Sequence, residues 1–129
     1  TPAQDERLLI GACQLYAEVL KAPMERVRAF ITLHKATHFA VAGGLAAHNG
    51  LHAPYFEFIV LDGRPLEDRH RLMRGFTDLL VDALGVRRDL VRGSCRRVEP
   101  QDWAIGGEPA SVIRKDEVAA RAALNTPPP

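Results

Sequence analysis

The sequence predicts an α+β fold of two β-α-β units in pseudo-twofold relation, forming a four-stranded sheet with two helices on one face. Three observations carry that expectation. A run of strand, tight turn, amphipathic helix and second strand lies between Tyr55 and Val98. An internal repeat accompanies it. Moved along by 64 residues, Leu8 falls on Leu72, Leu15 on Leu79, Leu20 on Leu84 and Val27 on Val91. At the same offset Arg28 falls on Arg92, Phe39 on Trp103, Val41 on Ile105 and Gly43 on Gly107. Size is the third: 129 residues, 47% of them hydrophobic, suit one globular domain.

The first repeat spans residues 1–44. Thr1 is placed to cap a helix, Pro2 takes its first position, and Asp5 and Glu6 face the positive end of its dipole. Leu8, Leu9, Ala12, Leu15, Tyr16, Val19 and Leu20 follow at helical spacing, and Ala22-Pro23 stops the run. A β-like stretch from Val27 to Leu33 comes next, then the glycine-ended segment Phe39-Ala40-Val41-Ala42-Gly43-Gly44. Residues 45–53, small and polar with His48-Asn49-Gly50, read as a linker.

The second repeat spans residues 54–114. Pro54 opens the clearest strand, Tyr55 to Leu61, which ends in the turn Asp62-Gly63-Arg64-Pro65. A helix from Leu66 to Leu84 presents Leu72, Met73, Phe76, Leu79, Leu80 and Ala83 on one face, and Gly85 ends it. A strand over Leu90 to Val98 follows, then the loop Trp103-Ala104-Ile105-Gly106-Gly107. Strand, helix crossover of about 20 residues and strand imply a parallel pair with a right-handed connection. The first repeat has no leading strand within the 129 residues. The tail, residues 115–129, reads as a short helix and a fraying end from Asn125.

Charge narrows the function. Seventeen Lys+Arg against sixteen Asp+Glu leave a net charge of +1, so nothing in the balance favours nucleic acid or an anionic membrane as partner. Two cysteines are too few for a disulfide scaffold and suit a reducing compartment, hence a cytoplasmic location. No apolar run reaches the roughly 18–20 residues of a membrane span. Arginines far outnumber lysines. A guanidinium grips a carboxylate with two parallel hydrogen bonds, so their positions matter.

Several features have plain structural readings. His34/His38 and His48/His52 are four apart, as helical metal ligands are, but neither pair lies on a convincing helix and no carboxylate or Cys completes a set; no metal is assigned. Gly106-Gly107 lacks the Lys-Ser/Thr that would mark a phosphate loop, and reads as a strand turn. Cys95 lies beside two arginines, a setting that can activate a thiol, yet a structural thiol is the simpler reading. Arg87, Arg88, Arg96 and Arg97 read as a solvated rim. Phe39 and Trp103 have a plain reading as core aromatics beside glycine loops.

Pro54 through Arg64 and Arg92 to Gly107 resembles 4-oxalocrotonate tautomerase (4-OT) essentially without gaps, and Thr1 to Gly43 resembles the same family from the start of its helix onward. About 110 of the 129 residues are covered, and the chain is identified as a fused two-repeat member of the tautomerase superfamily. The resemblance implies a tautomerase/MIF-like fold, a homotrimer of fused chains, a small carboxylate substrate and no cofactor. It also implies that an N-terminal proline, as general base, moves a proton between carbon and oxygen of a 2-oxo or 2-hydroxy-dienoic acid. By position, Arg64 and Arg92 match the family's catalytic arginines. Arg28, Phe39 and Trp103 match substrate-contacting positions, Trp103 standing where Phe is usual.

Pro54 matches the catalytic proline, but it lies inside the chain, where its nitrogen is a tertiary amide without useful basicity. Pro2 is blocked by Thr1. The base and the first strand are therefore expected upstream of Thr1, about eleven residues away by the repeat. Two alternatives stand beside the isomerase: a non-catalytic homologue that binds a carboxylate or builds an oligomer, and a hydratase, dehalogenase or decarboxylase on the same scaffold.

Overall fold

The computed structural model describes residues 1–125, and the end of the tail, residues 126–129, lies outside them. The elements follow the sequence closely. Helix α1 (Pro2–Leu20) opens with a capping box: Thr1 Oγ1 accepts from the Gln4 N–H at 3.2 Å, and the Thr1 amine donates to Gln4 Oε1 at 2.9 Å. Strands β1 (Ala40–Val41) and β2 (Gly44–Leu45) form a short hairpin followed by one turn of helix, α2 (Ala46–Asn49). Strand β3 (Tyr55–Leu61), helix α3 (Leu66–Leu84) and strand β4 (Arg92–Val98) come next. The hairpin β5 (Ala104–Ile105) and β6 (Glu108–Pro109), one turn of helix α4 (Ala110–Ile113) and helix α5 (Lys115–Asn125) complete the chain.

The repeat holds element by element at the same offset of 64. α1 corresponds to α3, the 3-10 turn Met24–Arg26 to Arg88–Leu90, the turn Ala36–His38 to Pro100–Asp102, and hairpin β1–β2 with α2 to β5–β6 with α4. Backbone detail repeats too. The Ala46 N–H donates to the Phe39 carbonyl at 2.8 Å, and the Ala110 N–H to the Trp103 carbonyl at 2.8 Å. Short elements thus stand within residues 45–53, where a linker was expected, because they copy Pro109 to Ile113.

Two compact units partition the chain: Thr1–Phe56 with Arg71–Gly93, and Glu57–His70 with the chain from Ser94 on. In the first, α1 packs antiparallel on α3. A Cβ on Gly11 would lie 2.9 Å from Leu79 Cδ1, and one on Gly75 would collide with Leu15, so each helix receives the other's leucine at a glycine. Those four residues are two repeat-equivalent pairs. Gln4 Nε2 donates to the Ala83 carbonyl at 3.2 Å and Arg7 to that of Asp82 at 3.2 Å, fixing the register. Val19, Leu20, Ala46, Leu72, Ala83 and Val91 are buried. In the second unit the buried residues are Phe58, Val60 and Ala110.

β3 and β4 pair. The Arg92 N–H donates to the Pro54 carbonyl at one end, and the Asp62 N–H to the Val98 carbonyl at the other, so the strands run parallel as expected. The expected four-stranded sheet is corrected in one respect: among the described residues the strands pair only two by two. Val27–Leu33, expected as a strand, has no ladder, and Phe30 and Leu33 there are 88% and 79% exposed. A strand is defined by its partner's hydrogen bonds, and its repeat-equivalent, β4, has β3 beside it. Among the described residues no helix is long and apolar enough to cross a membrane.

Two residues record where the repeats differ. The first hairpin turns through Ala42 (φ 55°) and Gly43 (φ 80°), the second through Gly106 (φ 57°) and Gly107 (φ 87°). Both central φ values are positive, as a two-residue hairpin turn requires. Ala42 is exposed and holds this conformation at a cost of about 1–2 kcal/mol. Ala42→Gly is therefore expected to raise stability by about 0.5–1 kcal/mol in chemical denaturation, after the larger unfolded-state entropy of glycine is subtracted. In the first unit the Phe56 ring covers Gly93 so closely that a Cβ there would collide with it, and its centroid is 5.6 Å from that of Phe76. Gly93→Ala is expected to cost about 2 kcal/mol in the same assay, through displacement of that ring.

Candidate active site

Four of the residues singled out in the sequence belong to the first compact unit: Arg28, Phe39, Pro54 and Arg92. The structure brings two of them together. The Arg92 N–H donates to the Pro54 carbonyl at 3.2 Å, so the motif proline and the motif arginine open adjacent strands. The ladder does this directly, since the residues preceding β3 and opening β4 meet at the same end. Pro54 is half-buried and Arg92 exposed.

Arg92 is held by backbone. Its Nη1 donates to the Asp89 carbonyl at 2.7 Å and to the Val91 carbonyl at 3.0 Å. The first of those carbonyls belongs to the 3-10 turn Arg88–Leu90 and the second follows it, and two ion pairs tie the turn down. Arg87 grips the Asp89 carboxylate in two-pronged fashion, Nε to Oδ1 at 3.1 Å and Nη2 to Oδ2 at 2.7 Å, and Arg88 pairs with Asp78 on α3. The hydrogen bond from Arg87 holds the Asp89 carboxyl below the usual range, with a smaller contribution from Arg92. Arg87 and Arg88 are solvent-exposed, as a rim would be, but they are paired. Asp78 and Asp89 were not singled out in the sequence. The Arg87-x-Asp89 spacing was a usable signal; the Arg88–Asp78 pair forms only once α3 is folded.

Arg28 lies exposed on the unpaired extended stretch and makes no side-chain hydrogen bond or ion pair among the described residues. Phe39 is half-buried beside His34, their ring centroids 6.2 Å apart. No hydrogen bond or ring contact joins Arg28 or Phe39 to Pro54 and Arg92 among the described residues.

Arg64 and Trp103 belong to the second unit. Arg64 follows the turn at Gly63 (φ 107°) and is half-buried. Trp103, 36% exposed, precedes β5 and accepts the Ala110 N–H on its carbonyl. The same unit carries an open cavity of about 490 Å³ lined by Asp62, Cys95, Arg96, Arg97 and Glu99, which contains none of the residues matched to catalytic or substrate-contacting positions. Arg97 reaches Asp62 at 3.8 Å across it. Burial pushes the Cys95 thiol above its ordinary value, against a smaller opposing pull from Arg69 and Arg97. Such a thiol is protonated at neutral pH and unsuited to be a nucleophile, which favours the structural reading. In a Cys13→Ser variant, iodoacetamide labelling of Cys95 is expected to rise only at a pH above the ordinary thiol value; labelling complete near pH 7 would contradict this.

No family model matches the sequence, and no curated protein sequence does. Solved structures do match. A native fused 4-OT shares 22% identity at a TM-score of 0.77 over 88% of this chain and 91% of its own. A wild-type fused 4-OT described as a symmetric trimer shares 23% identity, TM-score 0.77, over 88% and 89%. A member of the cis-3-chloroacrylic acid dehalogenase family shares 17% identity, TM-score 0.61, over 88% and 82%. With the element-by-element repeat, these likenesses show that the chain has the fold of the fused 4-OT structures, built as two repeats.

Proposed function

We propose that this chain is a tautomerase, an isomerase that moves a proton between carbon and oxygen of a small 2-oxo or 2-hydroxy-dienoic carboxylate. The observation that carries the reading is the hydrogen-bonded juxtaposition of Pro54 and Arg92 on parallel strands, in a chain with the fused 4-OT fold. Arg64 and Arg92 are assigned to the substrate carboxylate and to the negative charge that develops on oxygen. Arg28 is assigned to substrate binding, with Phe39 and Trp103 as apolar walls.

The base in this reading is the secondary amine of a chain-terminal proline upstream of Thr1. Pro54 is an internal amide, and the Thr1 amine is engaged by Gln4 in the helix cap. A free α-amino group titrates near about 8, and neighbouring arginines favour its neutral, proton-accepting form. A trimer of fused chains is proposed as well, following the structural neighbour described as one. A second reading, a non-catalytic homologue that binds a carboxylate, is favoured by the blocked nitrogen of Pro54. The likeness to a dehalogenase-family structure keeps hydration or dehalogenation of a chloroacrylate on the same scaffold as a third.

Ketonisation of 2-hydroxymuconate and phenylenolpyruvate, followed by ultraviolet absorbance on protein of sequenced N-terminus, separates these readings. Turnover by a chain beginning with proline is the expected result. Turnover by a chain beginning at Thr1 would overturn the assignment of the base. Absence of turnover by a proline-started chain would favour the carboxylate-binding reading. In the active form Arg92→Ala is expected to lower kcat/KM at least tenfold, and unchanged kinetics would remove Arg92 from the site.

A further inference from the structure

The two repeat-equivalent arginines are not equally prepared for a ligand. Arg92 has Nη1 anchored on two backbone carbonyls, at 2.7 and 3.0 Å, which leaves the edge formed by Nε and Nη2 for a two-pronged grip. The turn that offers the first carbonyl is clasped by the Arg87–Asp89 fork and tied to α3 by Arg88 and Asp78. The first repeat lacks the paired Arg87, Arg88 and Asp78, although Glu25 stands at the position of Asp89. At the positions of Arg87, Arg88 and Asp78 it carries Pro23, Met24 and Gln14. Its turn, Met24–Arg26, is followed by an Arg28 without a side-chain hydrogen bond among the described residues.

We infer that the Arg87–Asp89 clasp is a positioning device that presets Arg92 as the principal carboxylate-binding arginine of the chain, a role Arg28 does not share to the same degree. The inference rests on the proposed function for the existence of a carboxylate ligand, and adds which arginine leads and what holds it. Asp89 does not touch the ligand. It acts through the turn whose carbonyl restrains the Arg92 side chain, so that less rotamer freedom is lost when the ligand binds.

Charge and positioning predict opposite signs at Asp89, which makes the test sharp. Removing a negative charge close to Arg92 would by itself tighten carboxylate binding; releasing the clasp would weaken it. Binding of cis,cis-muconate, a dicarboxylate probe, is measured by calorimetry on the full chain and its variants, with the thermal midpoint of each. Asp89→Asn is expected to raise Kd about threefold or more with little change in midpoint, since the clasp is solvent-exposed. Asp89→Glu, which keeps the charge, is expected to recover part of the loss. Arg92→Ala is expected to lose at least tenfold and more than Arg28→Ala, and adding Asp89→Asn to Arg92→Ala should weaken binding no further. If Arg92→Ala weakens binding but Asp89→Asn leaves it unchanged or tighter, or if Arg28→Ala costs as much, the positioning role is overturned while the carboxylate site stands. If the wild-type chain binds no muconate, or Arg92→Ala binds as well as wild type, the proposed function itself loses its arginine and this inference falls with it.

Discussion

The first compact unit depends on one reciprocal contact, the seating of Leu15 against Gly75 and of Leu79 against Gly11. A glycine in mid-helix costs about 1 kcal/mol relative to alanine, and this chain accepts that twice at equivalent positions. What it obtains is close approach of two helix backbones, each groove filled by the other's leucine. Because the four residues form two equivalent pairs, the contact relates α1 and α3 by a pseudo-twofold rotation. The polar bonds from Gln4 and Arg7 to the carbonyls at the end of α3 follow from that register.

A third glycine shapes the mouth of the parallel ladder. Gly93 lets the Phe56 ring lie over the strand, and that ring meets Phe76 on α3. The first repeat has Ala29 at the equivalent position, on a stretch without a ladder. At the same end, Pro54 and Arg92 are joined by a backbone hydrogen bond. The arginine is then restrained by one carbonyl of the turn that precedes it and by the carbonyl just after that turn. Packing, strand pairing and the candidate site are thus consecutive consequences of one helix crossover.

The copies have diverged in a consistent direction. Where the second has Gly85 and Gly106 in left-handed conformations, the first has Lys21 (φ 52°) and Ala42 (φ 55°), which need that conformation without being suited to it. Where the second has the paired Arg87, Arg88 and Asp78, the first has Pro23, Met24 and Gln14. The backbone path is retained through these changes because it is set by the hairpin and helix-end hydrogen bonds, which repeat between copies.

Local rules sufficed for the two long helices, α1 and α3, and for strand β3, while β4 begins at Arg92 rather than Leu90 because the 3-10 turn Arg88–Leu90 takes its start. The helix bounds were legible because the apolar periodicity of Leu8 to Leu20 and Leu72 to Ala83, the Thr1 cap and the Gly85 stop are all encoded within a few residues of where they act. The repeat was legible because equivalent side chains serve equivalent contacts. Val27–Leu33 shows the limit: its composition is that of a strand, but hydrogen bonds to a neighbour make a strand, and composition does not say whether one is beside it. The site divides the same way. Pro54 and Arg92 could be picked out by position in the motif, and so could the amide character of the Pro54 nitrogen. Only the tertiary structure decided that a turn clasped by Arg87 and Asp89, and tied by Arg88 to Asp78, holds the Arg92 guanidinium. That arrangement depends on charges ten residues apart meeting across a folded helix end, a distance over which sequence spacing carries no geometry.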